Sequence, residues 1–230
     1  MMYLTSTNVG HPELDAWRYP LPEDTVIFRI HRVVLDLDRP EGDRVLRLAM
    51  DPDQHRSTCS DHVECGGEFG DVEWSADGSH LVFVSSSRDH KSAWVRMADA
   101  TTGEVRDVFE EVEETFYESQ SGWRYLSGTE EILWFSQRDN WGNLFLYDAN
   151  TGELKRKVTE GDWNVLDIRA VDEDQRTVTF MGNEREPGDP YFQYLYRVDL
   201  DGGDVHLLTP DSANHTVSID RKSTRLNSSH

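Results

Sequence analysis

The chain is poor in several things, and each shortage excludes something. It has two cysteines in 230 residues, too few for the disulfide framework of a small secreted domain. No apolar run approaches the length needed to cross a bilayer as a helix. No basic region followed by an apolar one opens the chain, so Met1-Met2-Tyr3-Leu4-Thr5 does not read as a signal peptide. Basic residues are scarce: 23 Lys and Arg against 44 Asp and Glu leave a formal net charge of −21. A surface of that sign is repelled by a nucleic-acid backbone and by an anionic membrane, and neither is expected as a partner. There is also no G-x-S-x-G nucleophile elbow, and the residues suggest no cofactor.

What is present suits a β domain. With 37% hydrophobic and 10% aromatic residues the chain can build a core despite its charge. The stretch from Ile132 to Asp162 is the clearest unit. An apolar burst (Ile132, Leu133, Trp134, Phe135) gives way to a polar turn with Arg138, Asp139, Asn140 and Gly142. A second burst (Leu144 to Tyr147) leads into Asp148-Ala149-Asn150-Thr151-Gly152, and a short run ends at Val158. Aromatic side chains fit a pleated sheet and Asn, Asp and Gly tolerate positive φ, so the pattern is a β-meander.

The unit recurs. Leu81 to Ser86 and Val178 to Asn183 resemble Ile132 to Gln137, and three later runs end in Asp before a Gly-containing turn, at Asp99, Asp148 and Asp199. These aspartates are 49 and 51 positions apart. A β-rich repeat of about 50 residues indicates propeller blades rather than a helical solenoid. The expected fold is all-β: a partial β-propeller of three to four blades, each a four-stranded antiparallel meander. The blades are placed at residues 71–109, 123–158 and 165–208. Ahead of them, Trp17 to Pro22 reads as an extended lead-in, because residues before proline are pushed out of the helical region. Val26 to Asp38 and the return from Val45 to Leu48 read as the outer half of a blade whose inner half is absent.

Two stretches carry candidate chemistry. His55, Cys59, His62 and Cys65 could give a closed tetrahedral zinc site, but H-x3-C-x2-H-x2-C matches no common finger. A polar loop with incidental His and Cys is the preferred reading, and a Cys59–Cys65 disulfide is a third one. No metal, catalytic or cofactor-binding residue is therefore assigned. Residues 110–118, EEVEETFYE, could face an amine or a metal. A solvated connection between blades is the preferred reading of such a charge run.

The ordered set of motifs points to a family. Asp71-Val72-Glu73-Trp74-Ser75-Ala76-Asp77-Gly78, Phe135 to Tyr147, Thr159 to Val165 and Leu195 to Gly203 resemble the N-terminal propeller of the dipeptidyl peptidase IV proteins, within the prolyl oligopeptidase family of serine peptidases. The resemblance covers most of residues 3 to 219. It implies a propeller in front of an α/β-hydrolase domain in cis, a peptide substrate entering between the two, and a full-length enzyme able to pair as a homodimer. The family's pair of glutamates for the substrate amine precedes the matched part. Glu110-Glu111, Glu113-Glu114 and Glu130-Glu131 lie in the wrong blades, and the role is not carried to them.

Asp220 to His230 reads DRKSTRLNSSH and resembles the translation of a sequencing-library adapter. The expected division is a propeller segment at 1–219 and an artefact tail at 220–230, with Thr216 to Ile219 opening a blade that is not completed. The chain on its own is expected to be inactive, and to expose two apolar sheet faces where the ring is open. A non-catalytic propeller, such as a periplasmic binding or scaffold module, is the second function class. Compartment and organism are left open.

Overall fold

Two turns of nearly identical sequence, Asp99-Ala100-Thr101-Thr102-Gly103-Glu104 and Asp148-Ala149-Asn150-Thr151-Gly152-Glu153, fold identically and set the repeat. In the first, Asp99 Oδ1 accepts from the N–H groups of Thr101 (2.8 Å) and Thr102 (2.7 Å), and Gly103 N–H donates to Asp99 O at 2.9 Å. In the second, Asp148 Oδ1 accepts from Asn150 (2.9 Å) and Thr151 (2.8 Å), and Gly152 N–H donates to Asp148 O at 2.9 Å. The glycines take φ of 77° and 74°, a left-handed geometry that side chains disfavour.

In this computed structural model the described residues are 2–5, 10–16, 21, 23–27, 29–54, 72–117 and 122–219. Two hairpins come first: β1 (Met2–Thr5) with β2 (Glu13–Ala16), then β3 (Val33–Leu35) with β4 (Val45–Arg47). The first complete blade comprises β5 (Val72–Trp74), β6 (His80–Ser86), β7 (Ser92–Asp99) and β8 (Val105–Val112). The second comprises β9 (Trp123–Leu126), β10 (Glu131–Ser136), β11 (Asn143–Asp148) and β12 (Leu154–Lys157). The third comprises β13 (Asn164–Asp172), β14 (Thr177–Asn183), β15 (Tyr194–Asp199) and β16 (His206–Leu207). Each is an antiparallel sheet in sequence order. The described residues thus form a partial β-propeller of three full blades and a preceding half-blade.

The continuous apolar runs follow from burial on both faces. Along β10 and β11, Ile132, Trp134, Phe145 and Tyr147 pack toward the first blade, while Leu133, Phe135, Leu144 and Leu146 pack toward the third. Alternate residues of a strand point to opposite faces, so a strand between two neighbours needs apolar side chains at every position. The half-blade packs likewise: Val34, Leu46, Leu48 and Met50 meet Leu81, Phe83 and Ala98.

Four expectations are corrected. Val26 to Asp38 is not one strand, because among the described residues of this span only Val33–Leu35 finds a ladder partner; Ile30 makes an isolated bridge to Asp53, and Val26 is exposed. Residues 110–118 are not merely a solvated connection: Glu110 and Glu111 belong to β8, which runs to Val112, and Glu111 is buried. Thr216 to Ile219 forms no strand, since no described strand lies beside it to complete a ladder. Its burial still alternates, with Val217 and Ile219 half-buried. The hairpin β1–β2 lies where no element was expected. The lead-in residues 17–20, the His55–Cys65 cluster and the tail 220–230 lie outside the described residues.

Candidate functional site at the arginine rim

Antiparallel blades put their connections on two rims. The turns between first and second strands and between third and fourth strands share one rim, where Asp77, Asp99, Asp148 and Asp201 lie. The turns between second and third strands share the other with the connections from blade to blade. On this second rim each blade contributes one arginine from its central turn: Arg88, Arg138 and Arg185.

Each arginine finds a different partner. Arg88 donates to the backbone carbonyls of Leu21 and Asp24 (2.6 Å to the latter) and so holds the lead-in against the first blade. Arg138 is anchored across the seam to the preceding blade. Its guanidinium pairs with the buried Glu111 of β8, its Nε donates to Ser136 Oγ at 2.9 Å, and Ser136 donates in turn to Glu111. The guanidinium carbon sits 4.5 Å from the centre of the Phe145 ring and 5.7 Å from that of Tyr147, within cation–π range. Burial works against the Arg138 charge, but Glu111 and Tyr147 together outweigh it and the pKa is raised. Nearby, burial and the Glu111 charge raise the Glu113 pKa, and Glu113 Oε1 is a buried acceptor with no donor.

Arg185 lies over a second aromatic cluster, 5.8 Å from the Trp163 ring centre and 5.5 Å from that of Tyr196. Its ion partner is its own neighbour Glu186, at 3.1 Å, which also accepts from the Tyr196 hydroxyl at 3.3 Å. Burial, then Glu186, push the Tyr196 pKa up. Gly182 makes the cluster possible: a Cβ there would come within 3.2 Å of both the Trp163 and the Tyr196 rings.

The first strands β5, β9 and β13 are edge strands of their blades, and β5 lies against β9. Tyr125 N–H donates to Glu73 Oε2 at 2.6 Å, Arg124 lies 4.0 Å from Glu73, and Arg169 lies 3.1 Å from Asp167. Burial raises the pKa of Glu73 in spite of Tyr125 and Arg124, and that of Asp167 in spite of Arg169 and Arg124. Acidic and basic groups are thus paired along these edge strands.

One arrangement imitates a nucleophile and its base. Ser79 Oγ lies 2.7 Å from both His80 Nδ1 and Asp77 Oδ1. Asp77 Oδ1 also accepts from the Ser75 hydroxyl (2.7 Å) and from Ser79 N–H (3.0 Å). These bonds, led by that N–H, hold the Asp77 carboxyl well below the usual carboxylate range. The carboxylate is the hub of a tight turn, and the histidine is the serine's own neighbour, so the cluster braces the Trp-Ser-Ala-Asp-Gly motif. The zinc-type residues His55, Cys59, His62 and Cys65 lie outside the described residues. Among the described residues no three His, Cys, Asp or Glu side chains converge as a metal site. The arginine rim escaped the sequence reading, although Ser-x-Arg-Asp at Ser86 to Asp89 and Ser136 to Asp139 was a usable signal.

Comparison with known proteins agrees with this architecture. The family model for the dipeptidyl peptidase IV N-terminal region matches residues 1–230. Among solved structures, dipeptidyl peptidase 4 of Porphyromonas gingivalis superposes with a TM-score of 0.68 at 15% identity, covering 92% of this chain and 27% of that one. A candidate dipeptidyl aminopeptidase IV of Bacteroides ovatus gives a TM-score of 0.65 at 20% identity, covering 89% of this chain and 29% of that one. This chain therefore spans less than a third of the length of either protein.

Proposed function

The chain belongs to the dipeptidyl peptidase IV N-terminal region family, and on that premise we propose that it is the propeller segment of a serine exopeptidase of that type. The blades form the wall of a cavity that admits peptides and holds back folded proteins. An α/β-hydrolase domain in cis supplies the Ser-Asp-His chemistry, and this chain by itself hydrolyses nothing. Pairing of the full-length enzyme as a homodimer belongs to the same proposal.

The observation that carries this reading is the family match along the whole chain. The first strands of the blades add physical support: Glu73, Arg124, Asp167 and Arg169 are side chains a passing peptide backbone could hydrogen-bond. Such a wall positions and filters a substrate without reacting with it, which is the division of labour the proposal requires.

Two measurements test the proposal. The purified chain is expected to leave a Gly-Pro chromogenic substrate intact, and hydrolysis by it would refute the assignment of chemistry to another domain. The complete coding sequence is expected to encode a hydrolase domain with a nucleophile elbow after the last blade. A stop codon directly after the propeller would leave a non-catalytic binding or scaffold module as the function.

A further inference from the structure

The two seams between complete blades are capped alike and anchored differently. At the first, Arg138 covers Phe145 and Tyr147 while Glu111, from a strand of the neighbouring blade, holds its guanidinium in place. At the second, Arg185 covers Trp163 and Tyr196, and its ion partner is Glu186, on the same loop and next in sequence. Where the first seam has the Ser136 hydroxyl, the second has Gly182, whose missing side chain lets the aromatic rings close up. Arg138 is thus a fixed part of its seam. Arg185 can leave by rotating its own side chain, with no interblade ion pair among the described residues to break.

We propose that the aromatic surface beneath Arg185 is a seat for an external organic cation, occupied in this structure by the protein's own guanidinium. The chemistry of the seat selects the ligand. Trp163 and Tyr196, packed on one another and on Phe180 and buried beneath Arg185, give a cation in its place their π-faces, and Glu186 supplies a negative charge braced by the Tyr196 hydroxyl. Two aromatic faces and one carboxylate suit a guanidinium or alkylammonium group, such as the basic side chain of a peptide. Glu184 and Asp189 on the same loop add to the negative potential through which such a cation would arrive. Arg185 then acts as a tethered competitor, and any external cation must displace it. This goes beyond the role proposed for the chain and does not depend on an attached hydrolase domain.

The test uses the whole chain and two small probes, methylguanidinium and tetramethylammonium, against sodium chloride at equal ionic strength. Binding is read from the indole N–H resonances, with that of Trp163 identified by its loss in Trp163→Phe. Arg185→Ala vacates the seat and is expected to bind both probes about ten-fold more tightly than the unaltered chain, on the scale of one desolvated cation–π contact. Arg185→Met keeps the aliphatic stem over the rings but removes the charge, and decides the matter should the alanine variant fold poorly; it too is expected to gain affinity. Glu186→Gln in either background is expected to weaken binding several-fold. Equal affinity in the Arg185 variants and the unaltered chain, or a response confined to other indoles, would overturn the proposal.

Discussion

Gly152 lies directly against the carbonyl of Val108: a Cβ built on Gly152 would sit 1.9 Å from Val108 O. The turn of one blade is thereby seated on the outer strand of the blade before it. The seat recurs one blade earlier, where a Cβ on Gly103 would lie 3.0 Å from Arg47 O. That repetition identifies β4 as the outer strand of a preceding blade. Arginines staple the seams between complete blades: Arg106 of the first donates to Ala149 O of the second at 2.8 Å, and Arg156 of the second donates to Asp201 O of the third.

Gly152→Ala therefore faces two penalties. The left-handed φ costs about 1–2 kcal/mol, and the overlap with Val108 forces two blades apart, so a total loss above about 3 kcal/mol is expected. Gly78 is the control, with φ of 71° and nothing within 4 Å of its added Cβ. Gly78→Ala should cost only the strain, about 1 kcal/mol. Urea unfolding of both variants checks the difference, and equal losses would count against the seating.

Glu131 is buried at the start of β10 and accepts from Thr129, Lys155 and Arg176, the last from the third blade. Burial pushes its pKa up, but the bonds from Arg176, Lys155 and Thr129 outweigh that and leave it lowered. A lowered folded pKa means that its stabilisation is fully present above the unfolded value, about 4.3. It is lost as pH falls through the folded value. Glu131→Gln should lower the melting temperature at pH 7 and narrow the gap to the parent as the pH drops below 4. Melts across that range would show it.

Glu73 carries the opposite sign. Its folded pKa is raised by burial, so the folded state holds the proton more tightly than the unfolded one. Stability then falls as pH rises from the unfolded value through the folded one. Glu73→Gln keeps an acceptor for Tyr125 N–H and removes the buried charge, and it should raise stability at pH 7 to 8. A lower melting temperature in that range would contradict this.

The far face of the half-blade is apolar and open: Val33, Leu35 and Val45 are 43%, 59% and 63% exposed. A face of this kind is a site of self-association. Replacing all three by Thr keeps the β-propensity and lowers the apolar area. Light scattering at high concentration should drop, while the melting temperature stays within about 1 kcal/mol equivalent of the parent.

The features legible in the sequence were those set by neighbours in the chain. Strand alternation and the Asp-x-x-x-Gly turns at Asp99 and Asp148 depend on backbone geometry within a few residues, so the repeat and the blade order could be read directly. The family resemblance rested on the same local motifs.

Whatever depends on contact between distant strands could not be read. Glu111 sits in a run of acids that looks solvated, and it is buried because Ser136 and Arg138, about 25 residues on, close over it. Arg138 and Arg185 occupy similar turns, yet only the position of β8 makes one fixed and leaves the other with a partner on its own loop. Thr216 to Ile219 has a strand's alternation, but a strand exists only where another backbone offers hydrogen bonds. The sequence by itself determined the blades, through local propensity and turn chemistry. The tertiary structure decided which charges are buried in the seams, because burial depends on what the neighbouring blade brings.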